Sequence, residues 1–122
     1  MTRTTMDDVA SAASSGVRLF LPAHPHLAQS ALEHIVSRHW VTSGAARAGK
    51  LARGTTGRGL RNMINEAGER GTWAADRFGR SRVEYNFGRR IGIDMHGQTA
   101  TGIRVIVDPA NEVITAFPIF FP

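Results

Sequence analysis

Residues 83–107 read VEYNFGRRIGIDMHGQTATGIRVIV, and apolar and polar side chains alternate over the first five of them. Over the last five, apolar residues recur at every second position, at 103, 105 and 107. A period of two is typical of β-strands that bury one face. A third alternating run extends from Ile91 to Met95 and ends at His96-Gly97-Gln98, where we expect a turn. This stretch therefore predicts three strands joined by short connections.

The sequence on either side completes the predicted architecture. Downstream, Asp108-Pro109-Ala110-Asn111 is a strong turn, and Val113–Phe117 reads as a last strand. Upstream, apolar residues recur at helical spacing in 27–40 and again in about 59–67, where a glycine at 68 or 71 ends the second helix. Short connections favour an antiparallel meander. We expect an α+β domain in which N-terminal helices pack on one antiparallel sheet of about four to five strands.

Over the first 26 residues the sequence gives only a weak indication of secondary structure. The segment DDVASAASS is compatible with a short helix after Thr5, but Pro22 and Pro25 interrupt the chain after that segment. We therefore divide the chain into a lead-in or linker, residues 1–26, and a functional domain, residues 27–122.

The charge balance favours a polyanionic partner. The chain carries 15 basic and 10 acidic residues, a net charge of +5, and Lys50 is its only lysine. A preference for arginine codons accounts for arginine over lysine but not for the excess of positive charge. Nucleic acid is the partner that such a balance fits best.

Several classes of function are disfavoured by composition. The chain has no cysteine, which excludes disulfides, thiolate metal sites and a cysteine nucleophile. It lacks a long apolar run and an N-terminal signal peptide, so we expect no membrane-spanning segment. The pair His24-x-His26 has no third ligand beside it, so neither a metal nor another cofactor is expected.

The helix at 27–40 contains the most reactive stretch, HIVSRHW, at 34–40. His39 lies on the apolar stripe with Ile35 and Val36, so it is either a core histidine or a catalytic one. His34 and Arg38 are four residues apart and are neighbours on the flank of the stripe. Two imidazoles in different surroundings can serve as base and acid on a phosphodiester, and an arginine can hold its phosphate. Arg38 is alternatively part of a solvated helix face.

The remaining candidates lie in the loop and in the strands. The loop AGKLARGTTGRG, residues 48–59, lacks the spacing of a nucleotide-binding P-loop, but Arg47, Lys50 and Arg53 in and before it are suited to clamping a phosphate backbone. The alternative is a plain basic loop. By its period of two, Thr115 is expected on the strand face of Val113 and Phe117, where a hydroxyl often bonds only locally. Tyr85 either packs or stacks on a base, and Arg104 faces either solvent or a basic groove.

The order of these pieces resembles a known group of toxins. A helix carries HIVSRH, a glycine- and lysine-containing loop follows, and then come the helix LRNMINEA, the strands YNFGRRIGIDMHGQTATGIRVIVD and the closing VITAFP. Residues 27–118 are similar to the C-terminal toxin domains of bacterial contact-dependent inhibition and other polymorphic toxin systems. Within these they resemble the barnase–EndoU–colicin D–RelE group of metal-independent ribonucleases.

The resemblance implies helices packed on a twisted antiparallel sheet and cleavage of RNA, often tRNA. By position, the catalytic residues of that group correspond to His34, His39, Lys50 and Thr115, with Arg38 and Tyr85 as weaker matches. The chain lacks the GGGH stretch that brings another histidine in EndoU, so the assignment of acid and base between His34 and His39 stays open. The resemblance also implies a cognate immunity protein that blocks the cleft. It implies delivery as the secreted or cell-surface C-terminus of a larger protein, and action in the cytoplasm of the target cell.

The expected reaction is attack of the ribose 2′-OH on the adjacent phosphorus, which gives a 2′,3′-cyclic phosphate. One histidine would take the proton, and a second group, histidine or lysine, would protonate the leaving oxygen. Lys50, Arg38 and the Thr115 hydroxyl would stabilise the charge on the phosphoryl oxygens. Apart from its immunity complex we expect the chain to be monomeric. The alternative from a different class is a non-catalytic basic module that binds nucleic acid through phosphate contacts alone.

Overall fold

The computed structural model describes residues 24–122, which form two α-helices, one short 3-10 helix at Arg77–Gly79 and seven strands. Helix α1 spans Gln29–His39 and helix α2 spans Gly57–Arg70. The strands, in chain order, are β1 (Lys50–Leu51), β2 (Thr72–Ala75), β3 (Ser81–Asn86), β4 (Gly92–Ile93), β5 (Thr99–Ala100), β6 (Gly102–Val107) and β7 (Val113–Ile119). The predicted α+β class is confirmed.

The strands divide into two antiparallel sheets. The main sheet has the order β2-β3-β6-β7, which falls within the predicted four to five strands, and a small sheet has the order β1-β4-β5. The small sheet forms where the chain leaves β3 and returns to β6. The predicted strand from Ile91 to Met95 shrinks there to Gly92–Ile93, because the Asp94 carboxylate accepts hydrogen bonds from the backbone N–H groups of His96 and Gln98. These bonds close a turn immediately after Ile93.

Helix α2 packs on the main sheet through β3 and β6. It is longer than predicted because Thr56 caps its first turn: the threonine hydroxyl accepts a hydrogen bond of 2.9 Å from the Gly59 N–H. It ends at Arg70, and Gly71 caps it by donating its N–H to the Ala67 carbonyl. A Cβ at position 71 would lie 2.5 Å from that oxygen, so only glycine fits this close approach of α2 to β3.

Helix α1 lies along β7 at the edge of the main sheet. Ala31 and Ile35 are buried in the core, and His39 is buried at the C-terminal end of the helix. Val36, which the helical pattern placed on the packing stripe, is 40% exposed. The buried stripe is therefore shifted from Val36 toward Ala31, and the flank that carries His34 and Arg38 is open to solvent.

Strand β7 contains an irregularity that decides which side chains face α1. Val107 pairs with Val113, but Ile106 pairs with Thr115, so one extra residue is inserted into β7 between the two pairs. Because of this bulge, Val113 is buried with the core while Thr115 and Phe117 lie on the other face, which they share with Arg104. The expectation that Thr115 shares a face with Val113 is wrong for this reason; its grouping with Phe117 holds.

The chain is fastened to the domain before the predicted boundary at Leu27. The His26 N–H donates to the Asn111 carbonyl, and the Val113 N–H donates to the His26 carbonyl. The side chains of His24 and His26 contact the carboxylates of Glu69 and Glu112, respectively. The short helix expected after Thr5 lies outside the described residues. Within 24–122, neither helix is long and apolar enough to cross a bilayer.

Candidate active site

A pocket of about 290 Å³ opens between α1, the loop that follows it and the outer face of β7. It brings together five of the residues singled out from the sequence and adds four others. Its lining consists of His34, Arg38, His39, Arg47, Ala48, Gly49, Met95, Thr115 and Phe117. The set contains two histidines and two arginines but no carboxylate.

His39 is held in place by a backbone carbonyl. Its Nδ1 lies 2.9 Å from the Gly49 oxygen, and its ring lies 5.3 Å from that of Phe117, centroid to centroid. A carbonyl oxygen only accepts hydrogen bonds, so Nδ1 must carry the proton. In the neutral ring, Nε2 is then the nitrogen with the free lone pair. A Cβ at position 49 would lie 3.0 Å from the carbonyl oxygens of both Ile93 and Pro118, so the close packing of this loop favours glycine.

Burial lowers the pKa of His39 below its ordinary value of 6.5. The hydrogen bond to Gly49 acts in the opposite direction, and the nearby charges of Arg38, His34 and Lys50 lower the pKa further. A lowered pKa keeps the imidazole neutral near pH 7. His39 therefore has the protonation state and the tautomer of a general base.

We expect this burial to make the stability of the protein depend on pH. In the unfolded chain His39 takes up a proton near pH 6.5, whereas in the folded chain it does so only at a lower pH. The unfolded state therefore binds more protons between these values, and this contribution to the free energy of unfolding falls as the pH drops through that window. An NMR titration of the His39 ring checks the cause directly: its midpoint should lie below 6.5, and a midpoint above 6.5 would contradict it.

His34 is the second histidine of the pocket and lies in a different environment. Its Nε2 is 3.1 Å from the Thr115 hydroxyl, and its ring centroid is 6.2 Å from that of His39. Unlike His39, it is exposed. When protonated, His34 can donate Nε2–H to the threonine oxygen and keep Nδ1–H for another acceptor. The hydroxyl thus orients the ring.

Arg38 and Arg47 supply positive charge at the mouth of the pocket, where both are exposed. Arg38 lies in the last turn of α1, where a cation also interacts favourably with the helix dipole. Arg47 adopts a left-handed conformation, with φ of 54°, which is uncommon for a residue other than glycine. Together with the histidines they make the pocket attractive to an anion.

Lys50 lies behind the pocket rather than in its lining. Its ammonium group donates to the carbonyl oxygens of Ala45 and Ala48, at 2.7 and 3.0 Å. These bonds tie down the loop that presents the Gly49 carbonyl to His39. In this structure the ammonium group thus contacts the backbone of the loop, and the expected contact of Lys50 with a phosphoryl oxygen stays a prediction.

The other three predicted residues are placed differently from one another. Arg104 lies next to the pocket: its guanidinium is 5.8 Å from the centre of the Phe117 ring and pairs with Glu84. Tyr85 pairs with Ile103 on the core face and packs edge-to-face on Phe87, away from the pocket. Arg53 lines a separate pocket, at the end of β1 opposite to Gly49.

Phe117 and Met95 are site residues that the sequence reasoning missed as contributors to the pocket. The sequence placed Phe117 and Met95 only in predicted strands. The observed strand β4 ends at Ile93, so Met95 lies in the turn that follows it. Both present apolar surface beside the histidines, and Met95 is 53% exposed. The TAFP ending, in which Phe117 follows the hydroxyl residue by two positions, was the one signal for Phe117 in the sequence.

The pocket thus combines a buried neutral imidazole, an exposed second imidazole, two arginines and an apolar wall. Among the residues described, no group of three or more histidine or carboxylate side chains is placed to hold a metal ion. Comparisons with family models, with curated proteins and with solved structures find no match to this chain, so the geometry of the pocket and the sequence motifs carry the functional inference.

Proposed function

We propose that the chain is the toxin domain of a polymorphic toxin and acts as a metal-independent endoribonuclease at the pocket of His34 and His39. The observation that supports this most strongly is the pairing of His39 with the Gly49 carbonyl. That bond fixes the tautomer, and burial keeps the ring neutral, so a base stands beside a second titratable imidazole. A module that only binds phosphates needs neither feature.

In the proposed reaction, Nε2 of His39 removes the proton of a ribose 2′-OH. The 2′-oxygen then forms a bond to the adjacent phosphorus, and the bond from phosphorus to the 5′-oxygen breaks. His34, in its protonated form, gives a proton to that leaving oxygen. The products are a 2′,3′-cyclic phosphate and a free 5′-OH, and the proton taken by His39 balances the one given by His34.

The arginines would stabilise the charge that develops on the phosphoryl oxygens. Arg38 and Arg47 provide planar donors suited to two oxygens at once, and no carboxylate in the lining competes for them. Phe117 and Met95 offer an apolar surface for the base or the sugar next to the cleaved bond. Thr115 holds the ring of His34 rather than contacting the phosphate itself.

The biological setting of the proposal rests on the sequence motifs. Their order supports a toxin that is carried at the end of a larger secreted or surface protein and cleaves RNA, with tRNA as the first candidate, in the cytoplasm of a target cell. The cognate immunity protein would cover the pocket with an acidic surface, because the lining has positive side chains and no negative one.

The experiment that tests the function is incubation of the purified protein with total RNA and with tRNA in the presence of EDTA. We expect cleavage that leaves 2′,3′-cyclic phosphate and 5′-OH ends, because the histidines alone move the protons. RNA that stays intact at high protein concentration would contradict the proposal, and so would cleavage that requires an added divalent metal ion. Intact RNA that is nevertheless bound would favour the non-catalytic module.

A further inference from the structure

A second pocket, also of about 290 Å³, lies at the other end of β1 from the histidines. Its charged lining residues are Arg53, Arg89 and Arg90, all three exposed. Its remaining lining is Ala52, Gly54, Thr55, Thr56, Gly59, Met63 and Ile91. We refer to it as the arginine pocket.

The three guanidinium groups lack acidic partners in the described part of the chain. The arginines that form ion pairs within residues 24–122 are others, at positions 70, 82 and 104. Arg89 lies over the ring of Phe87, at 5.6 Å from its centre, which orients the side chain without neutralising it. Three positive charges around one concavity repel one another, and an anion bound between them would relieve that repulsion.

The backbone holds these arginines together. The Ala52 N–H donates to the Ile91 carbonyl at 2.8 Å, which places Arg53 beside Arg90 on two neighbouring segments. The Thr55 hydroxyl donates to the Ala52 carbonyl at 2.7 Å and closes the turn after Arg53. The first turn of α2 adds partial positive charge at the same place, whereas the arginines carry the full charges.

Strand β1 connects the two pockets directly. Gly49, which holds His39, and Arg53 are four residues apart, so their Cα atoms are at most about 13 Å from each other along an extended chain. A nucleic acid strand held at the histidines can therefore pass the arginine pocket within a few nucleotides. A short substrate would reach only the first pocket.

We propose that the arginine pocket binds backbone phosphates of the RNA substrate outside the cleavage site, and so selects long RNA over short oligonucleotides. This inference rests on the proposed ribonuclease function. Phosphodiester groups are the ligand class, because arginine forks match phosphate oxygens and ignore base sequence.

The test compares wild type with the double variant Arg89→Ala/Arg90→Ala. We expect the variant to raise KM for tRNA about tenfold at low salt and to leave kcat, and cleavage of a dinucleotide, unchanged. The slope of log binding constant against log salt should fall by about 0.7 for each phosphate that the variant no longer binds. The control is Arg77→Ala/Arg80→Ala, which removes two arginines from the exposed turn around Phe78, outside both pockets.

Binding is measured with 2′-O-methyl RNA, which lacks the nucleophilic 2′-OH and is therefore not cleaved. A loss of affinity can then be distinguished from a loss of cleavage. Wild type that cleaves RNA, with a variant whose affinity and salt slope are unchanged, would overturn the arginine pocket and leave the ribonuclease standing. Weaker binding by the variant, with no cleavage by wild type, would support the pocket and overturn the enzyme. Melting curves of both double variants show whether the fold is retained, and Arg53→Ala gives an independent second test.

A free nucleotide offers the same phosphate chemistry as RNA, so adenosine monophosphate is titrated as a separate probe. We expect it to bind weakly and to compete with RNA. Tight binding of this mononucleotide that depends on Arg89 and Arg90 but leaves RNA affinity unaffected would overturn the assignment to RNA.

Discussion

We expect His39→Asn to lower kcat for RNA cleavage by about a hundredfold or more while the protein stays folded. The substitution removes the basic nitrogen, but the asparagine amide places an N–H donor near the former position of Nδ1. The hydrogen bond to the Gly49 carbonyl can therefore survive. Alanine is a poorer choice, because it leaves that buried carbonyl without a partner at a cost of about 1–3 kcal/mol.

The matched control for this variant is His96→Asn. His96 lies in the exposed turn between β4 and β5, outside the pocket, so the same chemical change there should leave the rate intact. Rates and thermal melting are measured for both proteins. If His39→Asn melts much earlier but keeps its rate per folded molecule, His39 is a core residue and the active site lies elsewhere.

We expect His34→Gln to lower the rate by about a hundredfold as well, but only when the leaving group needs a proton. Glutamine can still donate to the Thr115 hydroxyl, yet it cannot supply a proton to the 5′-oxygen. A nucleoside 3′-phosphodiester with a nitrophenol leaving group needs no protonation. On that substrate the His34→Gln variant should recover most of its rate, whereas His39→Asn should stay slow.

This comparison assigns the two roles separately. Recovery of the His39→Asn variant on the activated substrate, with His34→Gln remaining slow, would reverse the assignment of base and acid. Equal losses of rate on both substrates for the two variants would contradict the assignment of separate roles to the two histidines.

Thr115→Val keeps the shape of the side chain but removes the hydroxyl. It should show a smaller loss of rate than His34→Gln, because it only loosens the orientation of the His34 ring.

The sequence predicts the fold class because the long elements have clear periods. Helix α2 and strands β3 and β6 are recognisable from the spacing of their apolar residues alone. The short strands β1, β4 and β5 have two residues each, too few for any period to be seen. They form because the chain between β3 and β6 pairs with a distant segment, which is a tertiary effect that local patterns do not contain.

The candidate site was only partly predictable for a similar reason. His34 and His39 fall together because both lie on one helix, and helical spacing is written in the sequence. The face of β7 on which Thr115 lies depends on a β-bulge, which shifts the alternation of side chains by one residue. No residue pattern in this strand predicts the bulge. The resemblance assigned Lys50 to the catalytic residues. Its hydrogen-bond partners in the structure are two main-chain carbonyls. Because every residue has a main-chain carbonyl, the sequence does not indicate which carbonyls a lysine will contact.

The contact between the Gly49 carbonyl and His39 affects which sequence changes the loop before Gly49 can tolerate. A histidine that is oriented by a carboxylate side chain loses its orientation when that side chain is replaced. A main-chain carbonyl remains whichever side chain its residue carries. Apart from Arg47, which lines the pocket, many side chains of residues 41–48 can therefore change while His39 keeps its tautomer, as long as the path of the backbone at Gly49 is retained. In the proposed ribonuclease, such a loop could gain contacts to other RNA molecules, or lose contacts to a foreign inhibitor, while His39 keeps the tautomer of a base.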